Sequence, residues 1–426
     1  MLGVAMHALV RELYPTCRSI TGNGFRHTLA RLKQEIPLEV HEIPSGTAVF
    51  DWTVPREWNI RDAFVKNSGG ERVIDFRRHN LHVVNYSIPV HARMSLDQLR
   101  PHLHTLPDQP DLIPYRTSYY EEAWGFCLAH RQLEQMTDGE YEVCIDSTLQ
   151  DGHLTYGECL LKGASAHEVL VSAHACHPSL ANDNLSGVAV AAFLARHLAG
   201  LPLRYSYRFL FIPGTIGSIT WLSLNEERAR AIRHGLVLTC IGDLANFRYK
   251  KTRNGHTEID LAVGHILKHS GRGYTTEEFS PYGYDERQYC SPGFDLPVGC
   301  LMRSKYGEFP QYHTSADNPD FVAPAALADA LQTILSVFYV LEHNRAYMNL
   351  NPKCEPQLGK RGLYGVMGGT NVKQQQMAML WVLNLSDGAW SLLDIAERSG
   401  LPFEVINRAA ELLLRRDLLA PVHEVN

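Results

Sequence analysis

Apolar positions change their spacing three times along the 426-residue chain. Over residues 1–35, Leu9, Leu13, Leu29 and Leu32 supply apolar faces, and the spacing predicts two helices separated by YPTCRSITGNG. From about 40 to 162 the runs become short and strand-like, with Pro and Gly punctuation: VHEIPSGTAVFDWTVPREW, HNLHVVNYSIPVHARM, and EYEVCIDSTLQDGHLTYGECLLKG, a hairpin turning at Gln150-Asp151-Gly152. Between the last two, SYYEEAWGFCLAHRQLEQM predicts a turn and a short helix. From 168 the pattern alternates: EVLVSAH, GVAVAAFLARHLAG, YRFLFIP, TWLSLNEERARAI, GLVLTCIGD. Near-continuous apolar strands between amphipathic helices predict an α/β sheet covered on both faces. The helix APAALADALQTILSVFYVLEHN closes this region, and Pro352 and Pro356 mark a linker. Beyond it, SLLDIAERSG and FEVINRAAELLLRRDLL, joined through Gly400-Leu401-Pro402, resemble a helix-turn-helix or winged helix. The expected division is a core of 1–39 and 163–350, a β-rich insert of 40–162, and a C-terminal unit of 351–426.

Composition narrows the class. The length exceeds one ordinary core and predicts two or three domains. Apolar content of 45% and charged content of 20% fit a soluble globular protein. A net charge of -6 gives no general attraction to nucleic acid. The nine cysteines form no CxxC pair, which suggests reduced thiols in a cytoplasm. No apolar run is read as approaching the ~18 residues of a membrane span. The start, MLGVAMHALVRELYP, carries Glu12 and lacks a signal-peptide cleavage pattern.

The chemistry gathers at His174–Gly187, HACHPSLANDNLSG. This stretch joins a buried strand to a buried helix. Loops outside the carboxyl ends of strands are where open α/β sheets bind ligands. His174 and Asp183 are ligand types for a divalent ion such as zinc. Later strand ends offer more: Asp243 ends GLVLTCIGD, Asp285 and Glu286 lie in GYDERQYCSPG, and His313 lies in YHTSADN. Each also has a plainer reading. His313 suits a hydrogen-bonded structural histidine, Asp183 a helix N-cap, and Asp243 a turn. Their joint placement at successive strand ends favours a shared centre, and the residues alone leave both readings open.

Longer motifs carry a resemblance. HACHPSLANDNLSG, FLFIPGTIGSITWL, GYDERQYCSPG, EFPQYHTSADNP, LVRELYPTCRSITGNGFRHTL, FDWTVPREWNIRDAF, TSYYEEAWGFCL and CEPQLGKRGLYG together resemble a bacterial family of aminopeptidase-like proteins. Its members occur beside polysaccharide or natural-product biosynthesis genes. The resemblance implies a zinc-aminopeptidase-like α/β/α core with a mixed sheet, an inserted β-rich domain and a C-terminal winged helix. It also implies site residues. His174 matches the first metal histidine, Asp183 a carboxylate that can bridge two metals, Asp243 a later ligand and His313 the final histidine. The peptide between Asp183 and Asn184 is expected to be cis. Where the wider superfamily orients its first histidine with an aspartate, this chain has Cys176, and His177 follows as a further candidate ligand.

One departure matters most. Related aminopeptidases place glutamates near FIPGTIGS, as a base and a metal ligand. Here the position is Gly214, which also suits a turn that other residues resist. One zinc ion rather than two is therefore expected. The base would come from Glu286 or Glu308, Asp285 would read a substrate amine, and Tyr282, Tyr284 and Tyr289 would line the pocket. The insert is expected to shape access, with Trp52, Trp58 and Tyr119 facing the cleft. The implied function is a zinc-dependent hydrolase acting on a peptide or small amide. The alternative is a metal-binding protein without hydrolysis, acting as a binding or regulatory module through its winged helix. DNA binding is disfavoured, because Arg408, Arg415 and Arg416 share their helix with Glu404 and Glu411. No membrane partner is expected, and self-association stays open.

Overall fold

Eight strands form the main sheet of the computed structural model, which describes residues 1–363 and 372–422. They are β1 Glu39–Pro44, β2 His153–Leu161, β3 Glu168–His174, β4 Ser206–Ile212, β5 Ile232–Leu238, β6 Phe247–Lys250, β7 Tyr274–Glu277 and β8 Val298–Met302. Their spatial order is β1-β2-β4-β3-β5-β8-β6-β7. β4, β3, β5 and β8 run parallel, whereas β1, β2 and β6 pair antiparallel to their inner neighbours. The sheet is mixed, as the resemblance implies. Every residue of β3 and β4 is buried, which is why their sequences show no polar alternation.

Parallel pairing decides where the chemistry lands. His174 lies opposite Ile212, and Ser172 opposite Val237, so β3, β4 and β5 end at one edge. The loops that follow them emerge side by side there. The loop after β3 runs into α3, Gly187–Leu198, and the loop after β4 into α4, Ile216–Leu224.

The insert holds a four-stranded antiparallel sheet ordered 72–75, 57–66, 140–150, 90–95. Its expected C-terminal boundary needs correction. β2 is continuous in sequence with the insert's hairpin, yet it pairs with β1 and β4 in the main sheet. Sequence pattern identifies a strand but not the sheet that receives it. Trp58 is also corrected: its indole donates to the Ser87 carbonyl and stacks on Tyr86, filling the insert's own core.

The helix Pro324–His343 qualifies by length and composition as a membrane span, with a window hydropathy of 1.5. The sequence reading passed over it. More than half of that window is buried within the protein, as in a core helix.

A second unit comprises His256–Arg272 and the chain from Thr333 onward. The expected start at 351 is too late, because Ala346–Asn349 is the middle strand of this unit's sheet, between 387–391 and 419–421. Leu392–Ser399 ends at Gly400, whose φ of 69° gives the left-handed cap, and Phe403–Leu414 follows. His265, on the helix Glu258–His269, accepts the Phe403 N–H at Nε2 and faces Glu397 through Nδ1. His269 lies close enough for the three residues to enclose a metal ion. The Phe403 bond argues against that use: it takes the Nε2 lone pair, so Nδ1 carries a proton toward Glu397.

A pH dependence follows. Burial lowers the His265 pKa below 6.5, against the hydrogen bond to Glu397, which raises it; His269 and Lys268 also face the ring and lower it. The neutral ring thus contributes stability that is full above about pH 6.5 and lost as pH falls through the lowered value. The protection factor of the Phe403 amide, its exchange rate corrected for the intrinsic effect of pH, should fall on acidification from pH 7.5 to 5, and His265→Gln should flatten that response. A response unchanged in His265→Gln would assign it to another group.

Candidate metal centre

Four side chains meet at the carboxyl edge of the main sheet. His174 ends β3, and its Nε2 lies 2.9 Å from Asp183 Oδ1. His313 Nε2 lies 3.1 Å from the other oxygen, Oδ2. His177, with His174 and Asp183, offers ligand atoms that all lie within 4.8 Å of one another. Both His174 and Asp183 are wholly buried, whereas the His313 side chain is 32% exposed and opens the centre to solvent. His313 has a φ of 54°, a conformation that non-glycine residues hold only where the surroundings fix it.

The loop that presents Asp183 is fixed from three sides. Asp317 accepts the N–H groups of Asn182 and Asp183 at 2.6 and 2.9 Å. Asn184 reaches the Leu238 carbonyl at 2.8 Å, tying the loop to the end of β5. The Asp183–Asn184 peptide is cis, as the resemblance implies, and Gly214–Thr215 is cis as well. Tyr284 stacks on His174 with ring centroids 4.3 Å apart and donates its hydroxyl to Asp183 Oδ2 at 2.7 Å. Tyr312 stacks on His313 and meets the Tyr284 hydroxyl.

Charge and burial prepare these groups for a cation. Burial raises the Asp183 pKa, but His177, His174 and His313 outweigh it and hold the carboxylate well below its usual range. Burial, with help from the neighbouring His174, His313 and Arg18, drives His177 well below 6.5, against the attraction of Asp183. A carboxylate among imidazoles is the donor set that zinc takes. The observed contacts of 2.9 and 3.1 Å are close to the roughly 3.2–3.5 Å between ligands that share an ion at ~2.0–2.2 Å. The residues therefore fit a zinc ion.

Other expected residues have their own partners. Asp243 accepts from Asn182 Nδ2 and the N–H groups of Ala245 and Ser304, and so braces the loops around the site. Glu308 is half-exposed and pairs with Lys305 and Arg248. Glu286 is buried against Lys250, with Nζ–Oε1 at 2.8 Å. Asp285 is buried, with Ser218 Oγ 2.7 Å from Oδ1 and, among the described residues, no partner at Oδ2. Burial raises its pKa to about 6, opposed by His174. Of the three tyrosines, Tyr284 alone packs on the cluster. Tyr282 is exposed, and Tyr289 bonds Ser172 in the core. Gly214 does not have a positive φ; a Cβ there would instead crowd His174 Cβ at 3.1 Å.

The insert reaches the centre through residues the sequence reading missed. Tyr115 N–H donates to the His313 carbonyl at 2.8 Å, and Ser315 N–H to the Ile113 carbonyl at 2.9 Å. The Tyr115 ring lies 5.2 Å from His177 and 5.0 Å from His313. Tyr119 joins only through Tyr115, hydroxyl to hydroxyl at 3.0 Å. Trp52 is half-exposed and pairs with Tyr120. Asp317 was legible in principle, since it stands four residues after His313 in the same motif.

Comparison with known proteins agrees with this architecture. Residues 7–344 match the model of a domain of unknown function, DUF4910. The chain belongs to the DUF4910 family. Residues 345–421 match a winged helix-turn-helix, a boundary that agrees with the strand at 346–349. A polysaccharide biosynthesis protein with an aminopeptidase-like domain from Clostridium acetobutylicum is 55% identical over 418 residues, which cover 98% of this chain and 96% of that protein. The crystal structure of a peptidase from Clostridium acetobutylicum superimposes with a TM-score of 0.95 at 54% identity, covering 99% of this chain and 96% of that one. A zinc aminopeptidase from Bacillus subtilis shares the fold, with a TM-score of 0.58 at 11% identity over 80% of this chain and 94% of its own.

Proposed function

We propose that the protein is a zinc-dependent aminopeptidase-like hydrolase acting on a peptide or small amide. The observation that carries this reading is the convergence of His174, His177, Asp183 and His313 at the carboxyl edge of an aminopeptidase-type sheet. His174, His177 and Asp183, whose ligand atoms lie within 4.8 Å of one another, would hold the zinc, with His313 at the other oxygen of Asp183. Bound zinc supplies a more acidic water and polarises a carbonyl. The chain's own groups do the rest. Asp183 carries the negative charge that draws the cation, and Tyr284 and Tyr312 keep that carboxylate and the His313 ring in place. Tyr115 closes the side occupied by the insert. The relatives named above support the reading, as one is a peptidase by assignment and another, which shares the fold, is a zinc aminopeptidase. Nine unpaired cysteines support a reducing cytoplasm.

A second reading, a binding or regulatory module without hydrolysis, is favoured by Gly214, where the resemblance implies a glutamate. Metal analysis separates the two when combined with an aminoacyl-amide panel. Purified protein is expected to carry about one zinc per chain and to lose turnover on chelation, with recovery on zinc addition. Zinc bound without turnover on any amide supports the module. Protein that neither binds zinc nor cleaves amides overturns both readings.

A further inference from the structure

Position 214 has no side chain, and a carboxylate oxygen without a partner lies beside it. Gly214 stands in the turn between β4 and α4. A Cβ built there lies 3.4 Å from Asp285 Oδ2 and 3.5 Å from His174 Cγ. By standard bond lengths, the carboxylate oxygens of a glutamate lie roughly 3–3.5 Å from its own Cβ. Asp285 Oδ2 thus occupies the shell that a glutamate carboxylate at 214 would reach.

Its surroundings suit a group that receives a proton. Asp285 is fully buried, and Oδ2 has no hydrogen-bond partner among the described residues. On the other side, Ser218 Oγ lies 2.7 Å from Asp285 Oδ1 and 2.7 Å from the Thr215 carbonyl. Ser218 thus engages Oδ1 and leaves Oδ2 as the oxygen that can take a proton. The preceding residue, Tyr284, covers the His174 ring and bonds Asp183, so one short segment carries both groups to the centre. Of the neighbouring acids, Asp183 faces two histidines and Asp243 and Asp317 accept loop N–H groups; Glu286 also has an oxygen without a partner among the described residues, Oε2, but its charge is met by Lys250 at Oε1.

We propose that Asp285 replaces the glutamate absent at position 214, with its free carboxylate oxygen accepting the proton of the attacking water. The assignment rests on the hydrolytic reading. In the step, a water O–H bond breaks as its oxygen bonds to the amide carbonyl carbon, and the proton passes to Asp285. The C–N bond then breaks, and the same proton goes to the leaving nitrogen, giving a carboxylic acid and an amine.

The test compares wild type, Asp285→Asn, and Gly214→Glu combined with Asp285→Asn. Each is assayed for zinc affinity by chelator competition, for leucine hydroxamate binding by calorimetry, and for aminoacyl-amide turnover. A hydroxamic acid must give its O–H proton to an acceptor when it chelates, so its affinity reports on Asp285 without turnover. Asp285→Asn is expected to keep zinc affinity within about threefold and to lose at least about tenfold in hydroxamate affinity. Turnover should fall by ~10²–10⁴-fold. The double variant should recover at least about tenfold in both. Unchanged hydroxamate affinity in Asp285→Asn overturns the assignment, as does a loss that merely follows loss of zinc. A wild type that never turns over, yet binds hydroxamate in an Asp285-dependent way, removes the hydrolytic reading and leaves the proton acceptor standing.

Discussion

Asp183→Asn is expected to weaken zinc binding by at least about 100-fold, beyond the 10–100-fold typical of groups that only orient a ligand. The carboxylate is wholly buried, and its two oxygens face His174 on one side and His313 with Tyr284 on the other. An amide keeps the shape but removes the charge. It also turns an NH2 toward one of these partners. Each hydrogen bond to a buried charged group contributes about 1.5–3 kcal/mol, so the metal-free protein should lose stability too. Chelator competition and thermal melting read the two effects separately. If the asparagine protein held zinc as tightly as wild type, the cluster around Asp183 would not be the metal site.

The largest effect on stability should come from the opposite end of the same strands. Arg208 on β4 forms a two-pronged pair with Glu168 on β3, at 2.6 and 2.7 Å, and also pairs with Glu158 on β2. All three side chains are almost fully buried. Arg208→Leu leaves two carboxylates in the sheet without their cation, which costs about 3–5 kcal/mol. For a unit of this size the melting temperature should fall on the order of 10 °C. Glu168 and His174 lie at opposite ends of β3, about 20 Å apart at the rise of a strand. Zinc affinity measured well below the melting temperature should therefore not change. A melting temperature that held steady would show that the two glutamates find other partners or protons.

The two regions explain what reading the chain could reach. The apolar runs of β3 and β4, the helices between the strands, and the C-terminal helix pair were legible because burial imposes a local period on sequence. His174, Asp183 and His313 were legible as candidates because they punctuate those runs at strand ends. The Arg208 network was not, since Glu158, Glu168 and Arg208 look like surface charges until three strands are set side by side. The partners of Asp243 were not legible either: a strand-end aspartate can face a metal or brace a loop, and only packing brought its oxygens to Asn182, Ala245 and Ser304.

By itself, then, the sequence determined the α/β core, the presence of a β-rich insert and a winged helix, and which loop carries the chemistry. These follow from short-range patterns of burial and from residue types whose chemistry is their own. The tertiary structure decided which sheet takes residues 153–161 and where the C-terminal unit begins. It decided that Tyr115 and Tyr284 stand against the histidines, and that Asp285 holds a free oxygen where Gly214 has no side chain. Those outcomes depend on strand order and register, which bring together residues dozens to hundreds of positions apart. No local periodicity records such a meeting.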